Sequence, residues 1–522
     1  MYEADQERRT ITVVGGGLAG MVTTLELAKR GFDVDLYEAS ERLGGKAGSD
    51  ADPPLYRVDG TLDRSLTLPE GVLSDHGYHV FPAWYTNMRR LWEEIGIDPE
   101  REVYQGWLYL DLPEAEHGHR QPFTAEPEPL PRQLLSICDL ILQPDERVDR
   151  LTLQAFIHSR DYIDPARRVS LDDFILNALT IGDADISART VRDVFRQWLP
   201  RFDRPNWDAL RGSLGDLLID RLEARIREVA AQQGARVDIH LGHRLAAVEL
   251  GGGYAMQLTI RPESGSSFRV NDQPVVLAIP PQVLRELDST ELFEQEAELA
   301  DLHYLRCNPF AALDVHFPRR LPGMTDEHFT LKDSPAGITG FDISRHWPRL
   351  EYRDRTVLQF VAANSRGFNG LDEPGFVRAM VREISRYFPE IEDPETFVVP
   401  HPNLDAPLYV NDVGTWAHRP ATRSCLRNLY FAGDFVRNET AVTSMEAAVR
   451  TGLMAAEAVR EDHAPEQPAV EIADPVQVPG AIRELIEVTW PRDPMLARME
   501  CFAWLKGQAA EMQERLEAAR EG

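Results

Sequence analysis

The chain has 522 residues, 43% hydrophobic and 27% charged, and its 56 lysines and arginines stand against 85 aspartates and glutamates, a formal net charge of −29. That balance excludes nucleic acid as a partner, because a phosphate backbone is bound by clustered lysine and arginine and repelled by carboxylates. Cys138, Cys307, Cys425 and Cys501 are dispersed without a CxxC pair, so neither a disulfide framework nor a cysteine metal site is expected, and a reducing compartment fits.

The first element in the chain is a short apolar run, Ile11–Val14, stopped by Gly15-Gly16-Gly17. Before it, MYEADQERRT is charged and has no secretory or transit pattern. From Leu18 to Arg30, residues Leu18, Met21, Val22, Leu25 and Ala28 recur at helical spacing, with Gly31 as the residue that ends the helix. Val34 and Leu36 mark a second strand ending at Glu38. A loop-rich stretch with Pro53, Pro54, Gly60 and Pro69 precedes the segment 74–81, and a helix is predicted over 87–95, closed by Gly96. Residues 110–204 are proline-rich at 121–131 and then largely helical. A helix over 217–231 leads through Gly234 into a strand at 237–241, and strands follow at 256–260 and 275–279. Residues 310–405 read as strands with one helix, 375–387, and 428–459 as strand, turn and helix. A linker rich in alanine, proline and acidic residues is expected after 460. Beyond it Phe502, Leu505, Ala509, Met512, Leu516 and Ala519 form a helical stripe that docks on the protein's own body. No run reaches the ~20 apolar residues of a membrane span, so a cytoplasmic protein with at most peripheral membrane contact is expected.

Gly15-Gly16-Gly17-Leu18-Ala19-Gly20 fits G-x-G-x-x-G, with a strand before, a helix after and an acidic residue, Glu38, near the expected distance. Gly15 allows the tight turn, Gly17 the approach of a pyrophosphate, and Gly20 the packing of helix on strand, while the N–H groups from Leu18 onward face the phosphates. Glu38 suits two ribose hydroxyls and disfavours a 2′-phosphate, which points to FAD or NAD. Directly after it, Leu43-Gly44-Gly45-Lys46 offers a second close backbone approach with a cation near the diphosphate. Near the other end, the strand Asn428–Ala432 runs into Gly433-Asp434, and Ser444-Met445 opens a helix. An aspartate for a ribitol hydroxyl and a helix N-terminus for the pyrimidine edge of a flavin would favour the reduced, anionic ring.

These stretches, together with Gly77-Tyr78-His79-Val80-Phe81 and Tyr85-Thr86-Asn87, resemble the FAD-dependent amine oxidase and phytoene desaturase superfamily. The narrower likeness is to the plant-type phytoene and ζ-carotene desaturases and to hydroxysqualene-processing flavoenzymes. The resemblance implies non-covalent FAD whose adenosine diphosphate is held by Gly15, Gly17, Leu18, Ala19, Gly20, Glu38, Ala39, Arg42, Gly44, Gly45 and Lys46. It places Leu245 at the adenine, Gly77, Tyr78 and His79 beside the isoalloxazine, and Gly433, Asp434, Ser444 and Met445 on the ribitol and pyrimidine side. Ser40 departs from the arginine of some amine oxidases.

The reaction is expected to be a dehydrogenation of an allylic or polyene C–H, with a hydride passing to flavin and a proton to base or water, in a dry apolar tunnel. His79 is the candidate acid/base or orienting residue, with Tyr78, Asp342 and His418 weaker candidates. Amine oxidases of this superfamily usually carry a lysine on the strand that here reads 307–314, and that stretch has none; the four lysines are Lys29, Lys46, Lys332 and Lys506. No second G-x-G-x-x-G follows a strand, so a quinone or dioxygen is the expected electron acceptor. A flavin amine or amino-acid oxidase, a redox-neutral double-bond isomerase and a flavin-free escort protein remain alternatives. Apolar stretches 134–142 and 151–157 suit the mouth of a lipid tunnel or a core. The architecture expected is α/β: a Rossmann-type FAD domain from 1–106, 205–290 and 405–460, and a mixed β-sheet with helical cap from the insertions 107–204 and 291–404, followed by the linker and helix 461–522.

Overall fold

Ile11, Val13 and Val14 are all buried, so the first strand is apolar on both faces, the pattern of a parallel strand covered by helices. The computed structural model describes residues 9–475 except 71, 126–138, 159–184, 199–204, 272, 288–289, 309, 351–353, 404–406 and 441. In it this strand, Thr10–Val14, is the centre of a five-stranded sheet ordered Val237–His240, Asp33–Tyr37, Thr10–Val14, Val275–Leu277, Leu429–Phe431. Every pair in it is parallel. The chain winds one way from the central strand and then the other, which creates a switch point beside Thr10–Val14, where doubly wound sheets bind ligands at the strands' carboxyl ends.

Helix Leu18–Lys29 is buried almost all round because it packs on the sheet and on two further helices, Asp220–Gln233 and Met445–His463. The last of these approaches backbone to backbone: a Cβ on Gly452 would stand 2.5 Å from the Ala19 carbonyl oxygen.

The second sheet has eight strands, running from Tyr56–Arg57 through Phe397–His401, Ala311–Phe317, Thr356–Ala362, Ile338–Asp342, His328–Leu331 and Tyr109–Leu112 to Thr124–Ala125. It is antiparallel except where His328–Leu331 pairs with Tyr109–Leu112. Alternation divides its faces. Leu313, Val315, Leu358 and Phe360 share a core with Phe376, Val377 and Met380 of helix Glu373–Ser385. The opposite positions Ala312, Asp314, Val361 and Gln359 lie toward the segment 74–81.

Several boundaries differ from the sequence reading. The helix expected at 375–387 begins at Glu373, because the Asp372 carboxylate accepts the Gly375 N–H at 2.8 Å and Pro374 needs no donor in the first turn. The helix expected at 217–231 opens as a π-helical turn, Gly215–Ile219, and runs on to Gln233, where Gly234 at φ +62° ends it. The strand at 275–279 stops at Leu277. The last helix continues to His463, and the stretch after it is no free linker: Arg30 donates to the carbonyls of Pro468 and Ala469, and Ala473 exchanges two hydrogen bonds with Asn87. The stripe at 502–519 and most of 134–142 lie outside the described residues. Leu153, Phe156 and Ile157 are buried, which makes 151–157 core rather than a tunnel mouth. Among the described residues no helix is long and apolar enough to cross a membrane.

Candidate functional site

The glycine turn is built as its residues require. Gly15 has φ +106°, and a Cβ there would stand 2.4 Å from the Ala278 carbonyl oxygen; one on Gly20 would meet Gly15 O at 1.9 Å. Gly17 is different: its nearest neighbour would be Gly45 Cα at 3.9 Å, so the space beside it is open. Gly17 begins helix Leu18–Lys29 with no side-chain cap, leaving first-turn N–H groups aimed at that space. Leu18 and Ala19 are themselves buried and act through their backbone.

Glu38 closes the turn from below. Its Oε2 accepts Gly16 N–H at 2.6 Å and its Oε1 the Ser40 N–H at 2.8 Å, with the Ser40 hydroxyl at 2.7 Å from the same oxygen. Ser40 thus orients the acid. Ala39 between them is exposed. The second glycine pair lies against the first: Gly44, at φ +104°, donates to Gly16 O at 2.8 Å, and Gly45 follows at φ +55°. Lys46 comes next in a single 3-10 turn, part-buried and making no hydrogen bond or ion pair among the described residues. Arg42, by contrast, is held by Ser49 O at 2.8 Å and Asp50 at 3.4 Å. Leu245 is buried in one cluster with Val14, Tyr37, Leu277 and Ile279, at the carboxyl edge of the sheet.

The C-terminal stretch adds a second rim. Ala432 N–H bonds Leu277 O, and Gly433, at φ +137°, has both its N–H and its carbonyl on the Thr451 hydroxyl at 3.0 Å. The part-exposed Asp434 carboxylate makes no hydrogen bond or ion pair among the described residues. Ser444 caps helix Met445–His463 by accepting Ala447 N–H, and Met445 is part-buried beside it. An open space bounded by uncapped N–H groups, an acid placed for a diol, a free cation and a free carboxylate fits a dinucleotide.

Two residues outside the predicted site hold this stretch. Arg419, 1% exposed, donates to the carbonyls of Asp434, Phe435 and Val436 at 2.7–3.0 Å and lies over the Trp416 ring. Burial lowers its pKa. Glu446, also buried, accepts the N–H groups of Asn87 and Met88 and so caps helix Thr86–Glu94. That bond ties the Tyr85-Thr86-Asn87 stretch to Ser444-Met445-Glu446.

The segment 74–81 runs between the two sheets. Gly77 has φ +141°, and a Cβ on it would crowd Val361 Cγ2 at 3.0 Å. Tyr78 is anchored, its hydroxyl bonded to His328 Nε2 at 2.6 Å and to Thr339, and burial raises its pKa. These two bonds hold the ring in place. His79 is part-buried; burial pushes it down to about 4, and its Nδ1 has no hydrogen-bond partner among the described residues. Asp342 caps the turn Ile343–Arg345, and His418 pairs with Asp301 at 2.9 Å beside Tyr304.

Asp75 is the joint of this region. It accepts the Leu214 N–H at 3.2 Å and the Ser49 hydroxyl, and burial pushes its carboxyl up to about 7. Because the folded form holds the proton more tightly than the unfolded one, this group's contribution is full at low pH and is lost as pH rises through about 7. At ~1.4 kcal/mol per pH unit, Asp75→Asn should gain about 3 kcal/mol on the wild type between pH 5 and pH 8 in urea unfolding. Parallel pH profiles would contradict the assignment.

Comparison with known proteins agrees with this geometry. The chain is 23% identical over 507 residues to the zeta-carotene desaturase of Synechocystis sp., covering 88% of this chain and 99% of that one. It is 23% identical over 494 residues to the 15-cis-phytoene desaturase of Synechococcus elongatus, with 86% and 95% covered. Among solved structures, cyclohexylamine oxidase from Brevibacterium oxydans superposes with a TM-score of 0.61 at 15% identity, over 87% of this chain and 99% of that one. An oxidoreductase from Methanosarcina mazei gives 0.58 at 15% identity, over 85% and 99%. Residues 18–460 match the family described as flavin containing amine oxidoreductase. With the glycine turn, Glu38 and the Gly433-Asp434 stretch all lying inside or directly beside that span, the chain belongs to the flavin-containing amine oxidoreductase family and is an FAD-dependent oxidoreductase.

Proposed function

We propose that the protein desaturates a hydrophobic isoprenoid or polyene substrate. The observation that carries this reading is the missing amine. The stretch Cys307–Asp314, which leads into the strand whose Ala312 and Asp314 lie toward segment 74–81, has no lysine, and Lys332 follows strand His328–Leu331, its N–H on Leu112 O and its carbonyl on the Tyr387 hydroxyl. The similarity to carotenoid desaturases over nearly their whole length supports the same reading.

Bound FAD supplies a two-electron hydride acceptor. The residues for it are Gly15, Gly17, Gly20, Gly44, Gly45 and Lys46 at the diphosphate, Glu38 at the ribose, Leu245 at the adenine, and Gly433, Asp434, Ser444 and Met445 toward the flavin. Gly77 lets the 74–81 backbone pass close to the second sheet, and His79 takes the substrate's proton. Stretches 1–106, 205–290 and 405–460 make the FAD domain and the insertions between them the substrate domain. A quinone or dioxygen takes the electrons onward.

The test is product analysis. Under argon, phytoene or ζ-carotene in detergent with a soluble quinone should yield absorption bands at longer wavelength, from extended conjugation, while cyclohexylamine or putrescine in air should yield no peroxide. Peroxide from an amine and unchanged polyenes would overturn the proposal.

A further inference from the structure

Forming one C=C bond removes two hydrogens, one as a hydride with the electron pair and one as a proton. Bound FAD would take the hydride, so the proton needs a separate acceptor and its own way out. Behind His79 the eight-stranded sheet presents a row of polar groups where apolar residues would pack as well. Gln359 is 0% exposed, yet neither its Nε2 nor its Oε1 has a partner among the described residues. With Asp75, Tyr78 and His79 it lines a cavity of about 20 Å³, room for about one water. Across the strand pair Gln359 stands opposite Asp314, whose Oδ1 is likewise buried and unpartnered. Asp314 Oδ2 accepts the Ser74 hydroxyl at 2.8 Å, that hydroxyl lies 3.0 Å from His401 Nε2, and His401 Nε2 is 3.5 Å from the same carboxylate. The side chain of His401 is 11% exposed, that of Asp314 3%. Unpartnered buried polar atoms are costly, and three of them in sequence mark a path that something polar uses.

We propose that Gln359, Asp314, Ser74 and His401 form a proton path between His79 and the surface. A proton accepted by His79 crosses the cavity, oriented by the Gln359 amide, to Asp314 and leaves by the Ser74 hydroxyl and His401; the imidazoles, the carboxylate and the hydroxyl each give up one proton as they take one, and the amide stays intact. No electrons move along the row. The other ionisable groups facing it are Asp75 and His76 on the same segment, and Lys46 and Arg42 from the glycine loop. These residues act through His79 and are positioning residues for the reaction.

The path rests on the desaturation reading only for the source of its proton, and it can be tested without substrate. In flavin-loaded protein labelled with ¹⁵N-histidine, the rate at which the His79 ring proton exchanges with solvent is measured by saturation transfer. Ser74→Ala and Gln359→Leu should each slow that exchange about tenfold or more, since the relay loses a hydroxyl or an amide. A merely structural role predicts the opposite sign, because a loosened interior exchanges faster. Unchanged or faster exchange in both variants would overturn the proposal. Failure of the desaturation reading would show separately, as polyenes left unchanged by the wild type while the exchange is still slowed in the variants.

Discussion

Gly20→Ala should give a colourless protein. The added carbon would lie 1.9 Å from Gly15 O and 3.3 Å from Ala278 Cβ, so helix Leu18–Lys29 must retreat from the turn by more than 1 Å. Overpacking of this kind costs about 1–3 kcal/mol, and the retreat also withdraws the N–H groups that face the cofactor. A rise in the Kd for FAD of about 100-fold, equivalent to about 2.7 kcal/mol, is expected in a titration of the flavin-free protein. Gly17→Ala makes the control. Its Cβ meets nothing within 3.9 Å and its φ of −72° suits alanine, so unfolding should be unchanged while FAD binding falls, because the methyl enters the space the pyrophosphate needs. Equal flavin content in wild type, Gly20→Ala and Gly17→Ala would contradict the cradle.

Arg419→Met should destabilise the protein by about 3–5 kcal/mol and strip the flavin with it. The guanidinium holds three successive carbonyls, those of Asp434, Phe435 and Val436, and all three turn toward it. Methionine fills most of the volume but leaves those oxygens without their donor in a dry interior. Arg419→Lys should rescue little, since one ammonium cannot reproduce the planar fork. Urea unfolding with flavin fluorescence as a second probe reads both effects. A methionine variant within about 1 kcal/mol of wild type would show that the Gly433-Asp434 rim holds itself.

The two ends of the nucleotide site were legible because their signals are local. Gly15-Gly16-Gly17 between an apolar strand and a periodic helix needs no distant partner to be read, and neither does Ser444 before a helix. The joints between them were hidden for the converse reason. Asp75 meets Ser49 and Leu214, and Glu446 meets Asn87 and Met88, contacts spanning up to 359 residues of chain that no periodicity encodes. Arg419 reads in sequence like any surface arginine, because its three carbonyl partners lie 15 to 17 residues further along the chain. Gln359 sits in a strand, Thr356–Ala362, that is buried except at Val361, so its polarity stands out only once the sheet face it occupies is known. The helix starts at Glu373, two residues before the expected 375, because Asp372 caps it and Pro374 fits its first turn.

The most direct test of the central claim is the flavin's own spectrum. In anaerobic, purified protein the oxidised flavin band should be lost on adding a polyene or isoprenoid and should stay unchanged with amines. Bleaching by amines alone would contradict the assignment of this site to carbon–carbon desaturation.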